Sequence, residues 1–162
     1  MEPQTQQPYY TLTSGHKMPM LGMGTDGITD PDIIAKAAIE IGYRTIDTAA
    51  RYKNEEVVGA AVKKILASGV KREDLFVITK VWVDEVDNVE AACKKSLAKL
   101  DLEYVDLYLV HWPVAVRTVP TEDPLKPSFE RMRLPIHKIW PQMEALVGLG
   151  LARSIGVSNF NV

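Results

Sequence analysis

Four reactive side chains stand at or near the ends of short runs whose sequences are typical of β-strands. Asp47 ends the run 44–47, Tyr52 follows it in a small polar loop, Lys80 lies near the end of 75–81, and His111 follows 104–110. An ammonium beside a phenol favours the phenolate and makes the phenol a better proton donor, and a carboxylate beside the lysine keeps the lysine charged. The set predicts a tyrosine that protonates an alkoxide as it forms, with the histidine orienting the substrate oxygen.

This chemistry requires a partner that the chain cannot supply. Protein side chains do not deliver hydride, so a reduction needs a nicotinamide.

The elements that position these residues alternate between strand and helix patterns. Strands are predicted at 21–25, 44–47, 75–81, 104–110 and 153–157, with helices at 31–41, 54–68, 87–100 and 136–149. Short connections in this order predict a parallel sheet, either open or closed into a barrel. The first helix is expected to begin at an Asp30 cap and to bury Ile33, Ile34, Ala37, Ala38 and Ile41.

Polar residues that interrupt the apolar strands are expected at the carboxyl ends only. Gly24 and Thr25 end the first strand, and Ser158 and Asn159 end the fifth. The carboxyl ends of parallel strands share one rim, so these residues are predicted to converge with the four reactive side chains.

The remaining segments are less regular. Residues 9–12 and 18–21 flank a turn and predict a hairpin. Residues 1–8 are expected to be loose, and 9–162 to form a single domain. Residues 114–134 are rich in proline and charge and are predicted to be irregular, as a functional loop or as disorder.

Composition sets the broad class. The chain has 162 residues, 46% hydrophobic and 25% charged, with a net charge of −2 and no basic stripe, which argues against nucleic acid as a partner. A single cysteine, Cys93, fits a reducing compartment. No secretory signal pattern or membrane-length apolar run is present, so a cytoplasmic protein is expected. The scattered His16, His111 and His137 have no ligand spacing with Cys93, so no metal site is predicted.

A dinucleotide-binding reading competes for the glycines. Residues 22–27 spell G-x-G-x-x-G, and Asp47 lies about 20 residues beyond them. In that motif the helix begins within the glycines so that its N-terminus faces the pyrophosphate. Here the helix begins after them, at Asp30 and Pro31, which disfavours this reading.

Three longer segments resemble the aldo-keto reductase family. They are GYRTIDTAARYKNEEVVG at 42–59, KLDLEYVDLYLVHWP at 99–113 and GLARSIGVSNF at 150–160. The resemblance implies a (β/α)8 TIM barrel, of which this chain carries about strands 1–5. It also implies reversible reduction of an aldehyde or ketone, a small-molecule carbonyl substrate, with NADP(H).

The resemblance also implies residue roles. Asp47, Tyr52, Lys80 and His111 form the catalytic tetrad, with Tyr52 as general acid. The cofactor-binding residues are Gly24, Thr25, Asp47, Ser158 and Asn159, and the residues lining the substrate pocket are Trp82 and Trp112. Asp26 departs from the pattern, because many relatives carry an aromatic residue there.

The number of strands raises an alternative. A barrel of this type takes about 250 residues, and the segment that binds the adenosine phosphate is absent, so NADPH preference is inherited from the family alone. The alternative is a non-catalytic barrel-fold subunit or a truncated inactive fragment. The chain is expected to be part of a longer protein or an incompletely determined sequence, and an intact mass well above 18.1 kDa would confirm this.

Overall fold

A computed structural model describes residues 7–119, 121 and 128–161. Its strands are β1 (Tyr9–Thr11), β2 (Lys17–Pro19), β3 (Gly22–Gly24), β4 (Thr45–Asp47), β5 (Phe76–Val81), β6 (Val105–Val110), β7 (Val116–Val119), β8 (Ser128–Arg131) and β9 (Ala152–Val157). Its α-helices are α1 (Pro31–Lys36), α2 (Glu55–Ala67), α3 (Val89–Leu100) and α4 (Ile136–Gly148).

Five parallel strands form one sheet in the order β3-β4-β5-β6-β9. Gly24 pairs with Asp47, and Lys80 pairs with Leu109, so the carboxyl ends lie side by side. In this order each strand lies beside the strand of this sheet that precedes it in the chain, whereas in a dinucleotide-binding sheet the fourth strand returns to lie beside the first. The dinucleotide-binding reading is therefore wrong. Within the described residues, β3 and β9 each pair with one strand of this sheet, which is consistent with part of a barrel.

The core lies between the sheet and its helices. Every residue of β5 is buried, as its unbroken apolar run predicted. Helix α2 packs closely against the end of α3 at Gly59, where an added Cβ would lie 2.6 Å from the carbonyl oxygen of Leu100. Only glycine permits so close an approach between these two helices.

The buried face of helix α1 differs from the predicted one. The Asp30 carboxylate accepts a hydrogen bond from the backbone N–H of Asp32 at 2.9 Å, as expected of the cap. The buried face centres on residues 34, 35 and 38, so Ile33 lies outside it and is 53% exposed. A π-helical turn at Ala37–Ile41 is wider than an α-helical turn and leaves Ile41 73% exposed.

The segment after β6 also differs from its prediction. Residues 114–134 were expected to be irregular, but β7 and β8 form an antiparallel pair. The backbone N–H of Val116 donates to the carbonyl of Val83, which holds this hairpin beside the exit of β5. Strands of four residues among prolines and charges are too short to show a clear period. Residues 120 and 122–127 lie outside the described part.

The N-terminal hairpin is confirmed, with Tyr10 paired to Met18. The Ser14 and Ser154 hydroxyls lie 2.7 Å apart, so the hairpin contacts the amino-terminal end of β9. The predicted loose segment 1–8 falls mostly on residues 1–6, which are outside the described part. Among the described residues, no helix has the length and hydropathy of a membrane span.

Candidate active site

Asp47 and Tyr52 are brought to the rim by a short, well-bonded connection. Asp47 is the last residue of β4, and the N–H of Thr48 donates to the carbonyl of Ile78 on β5 at 2.9 Å. A 3₁₀ turn, Ala50–Tyr52, then places the phenol, and Lys53 leaves the turn with a left-handed φ of 57°. The loop therefore returns over the strand ends before α2 begins.

Lys80 is the centre of the site. It is buried at the end of β5, and its ammonium pairs with Asp47 Oδ1. Its Nζ also donates to the carbonyl oxygen of Thr48 at 2.9 Å and to Tyr52 Oη at 3.3 Å. These contacts use all three N–H donors of the ammonium. Because Tyr52 Oη accepts from Lys80, its own hydrogen is free to be donated elsewhere.

His111 completes the cluster from the end of β6. Its ring meets Tyr52 edge-on at a centroid distance of 5.7 Å and Trp82 at 5.1 Å. Burial lowers the pKa of His111 below its ordinary value of 6.5, and the Lys80 ammonium lowers it further, against an opposing effect of Asp47. The imidazole is therefore neutral at physiological pH.

Two exposed charges flank this imidazole. Asp26 raises the pKa of His111, whereas Arg51 lowers it. The Arg51 guanidinium also lies 5.2 Å from the centroid of the Trp82 ring. The Asp26 carboxylate thus acts electrostatically on the site.

The exits of β3 and β9 close the rim on either side. Thr25 is fully buried, and both its backbone N–H and its hydroxyl donate to the carbonyl of Asp47 at 3.0 Å. Asn159, with a left-handed φ of 60°, donates from Nδ2 to the carbonyl of His111 at 2.9 Å and to Ser158 Oγ at 3.1 Å.

These exits could hold the amide of a nicotinamide. The Asn159 side-chain oxygen is left as an acceptor, and the Ser158 hydroxyl can donate as well as accept. A carboxamide offers the complementary N–H and C=O groups. At Gly24 an added Cβ would contact nothing within 4 Å, so the backbone there is open to close approach. The donor set at this rim fits the group.

Most of the predicted site residues lie together. Asp47, Tyr52, Lys80, His111 and Trp82 share direct contacts, and Gly24, Thr25, Ser158 and Asn159 adjoin them. Trp112 is the exception. It is 44% exposed, and it forms no ring or cation contact with another described residue.

Two site residues were not predicted from the sequence. Asn54 is 5% exposed and Glu55 is 2% exposed, and their side chains bond to the strand exits. An Asn-Glu pair before an amphipathic run is usually the start of a helix, and that pattern hid their burial.

One prediction about polar residues is wrong. They were expected to interrupt strands at the carboxyl ends only, but Asp106 is buried at the amino end of β6. It pairs with Arg72 and Arg153. A buried carboxylate needs partners in the fold, and the surrounding apolar run gave no sign of them.

Comparison with known proteins identifies the family. The model of the Aldo/keto reductase family matches residues 22–162. The chain belongs to the aldo/keto reductase family. Methylglyoxal reductase DkgA of Yersinia pestis is 42% identical over 160 residues, covering 98% of this chain and 51% of that protein. The NAD(P)H-dependent D-xylose reductase of Scheffersomyces stipitis is 42% identical, covering 94% and 52%.

Solved structures agree with this assignment. The aldose reductase of Schistosoma japonicum superposes with a TM-score of 0.84 at 37% identity, covering 96% of this chain and 54% of that chain. A Bombyx mori aldo-keto reductase in complex with NADP gives 0.83 at 40% identity, covering 97% and 52%. The fold is therefore the aldo/keto reductase barrel type, and the chain spans about half the length of the relatives it matches.

Proposed function

We propose that this protein reduces an aldehyde or ketone to an alcohol with NADPH, and that Tyr52 donates the proton. One observation carries the proposal: Lys80 is held by Asp47 and Thr48 while it donates to Tyr52 Oη. That arrangement fixes a cation beside the phenol oxygen and leaves the phenol hydrogen free for a substrate.

The reaction divides between the cofactor and the side chains. NADPH, when bound, supplies the hydride that adds to the carbonyl carbon. Tyr52 protonates the carbonyl oxygen as negative charge develops on it, and Lys80 stabilises the phenolate that remains. Asp47 keeps the ammonium oriented toward Tyr52.

His111 orients the carbonyl oxygen as a neutral donor. Its Nδ1 is buried and has no hydrogen-bond partner among the described residues. A proton on Nδ1 would be buried and unpaired, so the neutral ring is more stable with its proton on Nε2. Burial and the Lys80 ammonium lower the pKa of this imidazole, so it stays uncharged. An uncharged His111 donates a hydrogen bond to the substrate oxygen and leaves proton transfer to Tyr52.

We infer that Ser158 and Asn159 bind the nicotinamide amide, with Gly24 and Thr25 contacting the cofactor at the exit of β3. The Bombyx mori relative was solved with NADP, and other relatives are named NAD(P)H-dependent or NADPH-dependent reductases. These names and the free acceptor on Asn159 support NADP(H) as the cofactor.

The substrate is a small carbonyl compound. Relatives named for methylglyoxal, aldose and xylose support this class. Trp82, in contact with His111 on one side and Arg51 on the other, lines the approach to the carbonyl. We place the exposed Trp112 at the outer edge of the same approach. The buried single cysteine supports a cytoplasmic location.

The test is carbonyl-dependent oxidation of NADPH, measured on the full-length protein as the cell produces it. We expect turnover with small aldehydes, and a loss of about 10²- to 10⁴-fold in kcat in Tyr52→Phe. Tyr10→Phe is the matched control, because Tyr10 is 63% exposed on the distant hairpin, and it should keep full activity. Turnover that survives Tyr52→Phe would refute the assigned proton donor. No turnover with any carbonyl would favour a non-catalytic barrel subunit.

A further inference from the structure

Asn54 stands where a helix cap is expected but bonds elsewhere. It immediately precedes α2, and its side chain accepts no hydrogen bond from the described residues of that helix. Asn88 stands at the same position before α3 and does cap its helix, accepting from the N–H of Ala91 at 3.1 Å. The two asparagines therefore occupy the same position relative to their helices, but only Asn88 caps its helix.

The Asn54 amide instead joins two strand exits. Its Nδ2 donates to the carbonyl of Thr25 at 2.6 Å and to that of Ile28 at 3.0 Å, and its Oδ1 accepts from the hydroxyl of Thr48 at 3.1 Å. Thr25 follows β3 and Thr48 follows β4, so one buried amide binds both exits. Buried amides with full hydrogen bonding hold their neighbours rigidly, because breaking any bond leaves a buried polar group unpaired.

The next residue adds a third attachment. Glu55 Oε1 accepts from the hydroxyl of Thr79 at 2.7 Å, and Thr79 precedes Lys80 on β5. Residues 54 and 55 therefore fix the start of α2 against the exits of β3, β4 and β5.

Tyr52 lies inside the segment that these bonds enclose. Thr48 anchors the segment at one end and Asn54 at the other, with only Ala49, the 3₁₀ turn and Lys53 between them. Tyr52 Oη makes a single hydrogen bond to another described residue, the 3.3 Å bond from Lys80. So long a bond constrains the phenol only weakly, so its position also depends on the edge-on contact with the His111 ring and on the geometry of the enclosing segment.

We propose that Asn54 is a positioning residue for the reduction: it sets where the Tyr52 hydroxyl lies relative to Lys80 by tying the turn 50–54 to the exits of β3 and β4. This inference rests on the proposed function. The amide does not touch the substrate, so its effect is expected in the proton-transfer step and not in binding. Displacing a reacting group by about 1 Å costs up to about 10²-fold in rate.

Cofactor affinity is expected to be independent of Asn54. Thr25 keeps two bonds to the carbonyl of Asp47, from its N–H and its hydroxyl, when the Asn54 amide is removed. Asn54→Ala should therefore lower kcat by about 10- to 100-fold while the Kd for NADPH and the KM for the aldehyde change by less than about threefold.

The experiment is a double-mutant cycle measured in single turnovers with NADPH and a small aldehyde, on Asn54→Ala, Tyr52→Phe and the pair. If Asn54 acts through Tyr52, Asn54→Ala slows the otherwise wild-type protein but adds no loss to Tyr52→Phe. Asn88→Ala, which removes the true cap, should lower Tm and leave kcat unchanged. Asn54→Asp, which keeps the acceptor for Thr48 and loses both donors, repeats the test if Asn54→Ala folds poorly.

Each outcome has a separate meaning. An equal slowing by Asn54→Ala in both backgrounds, or a lower Tm with unchanged kcat, would overturn the positioning role and leave the proposed function intact. A Tyr52→Phe variant with the wild-type rate would instead overturn the assignment of Tyr52 as the proton donor, and no turnover with any carbonyl would overturn the proposed function itself.

Discussion

Two clusters of an aspartate with cationic side chains occupy opposite ends of the sheet, and they differ in how far the aspartate side chain is exposed. At the amino end, Asp106 Oδ2 accepts from Arg72 at 2.8 Å and from the N–H of Val77 at 2.9 Å, and Oδ1 lies 3.6 Å from Arg153. The Asp106 side chain is 5% exposed, whereas that of Asp47 at the carboxyl end is 37% exposed. One cluster is closed and the other is open to a ligand.

A tyrosine belongs to each cluster, and it repeats the contrast. Two guanidiniums face the ring of Tyr104, that of Arg72 at 4.2 Å and that of Arg153 at 4.0 Å from its centroid. Tyr104 therefore contributes its ring, while Tyr52 contributes a hydroxyl that accepts a hydrogen bond from Lys80. Under the proposed function the same residue types serve stability at one end and chemistry at the other, as is general for this barrel fold.

The largest expected effect is on stability at the amino end. Asp106→Ala leaves two partly buried guanidiniums without their carboxylate, so the free energy of unfolding should fall by about 3–5 kcal/mol. Urea unfolding measures the loss, and kcat per folded molecule should stay within about twofold of wild type. A large loss of kcat with unchanged stability would show that the two ends are not separate in function.

The corresponding test at the carboxyl end is Lys80→Met, which is expected to affect activity and not stability. It removes the cation beside Tyr52, so kcat should fall by about 10²-fold. The Asp47 carboxylate that remains can be hydrated, so the free energy of unfolding should change by about 1 kcal/mol or less. Steady-state assays and urea unfolding on one preparation measure both quantities. A loss of stability as large as that of Asp106→Ala would contradict the contrast.

The smallest expected effect is a pH dependence of stability that arises from His111 at the carboxyl end of the sheet. Because burial lowers the pKa of folded His111, the unfolded chain binds this proton more readily. Stability should therefore fall as pH decreases from about 6.5 to the lowered pKa, and should not depend on this group at higher pH. The measurement is Tm from pH 5 to 7.5 for two variants, His111→Gln and the control His137→Gln, which changes an exposed histidine. His111→Gln should lose this pH dependence of stability, and His137→Gln should keep it. Equal profiles would exclude His111 as the source.

The fold could be predicted where the pattern was long and regular. The fully apolar run of β5 predicted a buried parallel strand, and the ends of such strands must share a rim. That rule alone predicted that Asp47, Lys80 and His111 would approach one another. The β7–β8 pair and the π turn after α1 were missed, because four or five residues carry too little periodicity.

The polar residues that were missed share another cause. Asp106 lies in an apolar strand and Asn54 at the start of a helix, so the local sequence predicts a surface position or a cap for each. Their partners are distant in the chain: Arg72 for one and Thr25 for the other. Buried polar networks of this kind depend on the three-dimensional fold, which no local window contains.

The most direct test of the account is the single-turnover rate of aldehyde reduction by Tyr52→Phe loaded with NADPH. We predict that the variant binds NADPH with wild-type affinity and folds normally, yet oxidises it about 10²- to 10⁴-fold more slowly. A rate equal to that of the wild-type protein, at equal cofactor occupancy, would contradict the claim that the phenol beside Lys80 is the proton donor.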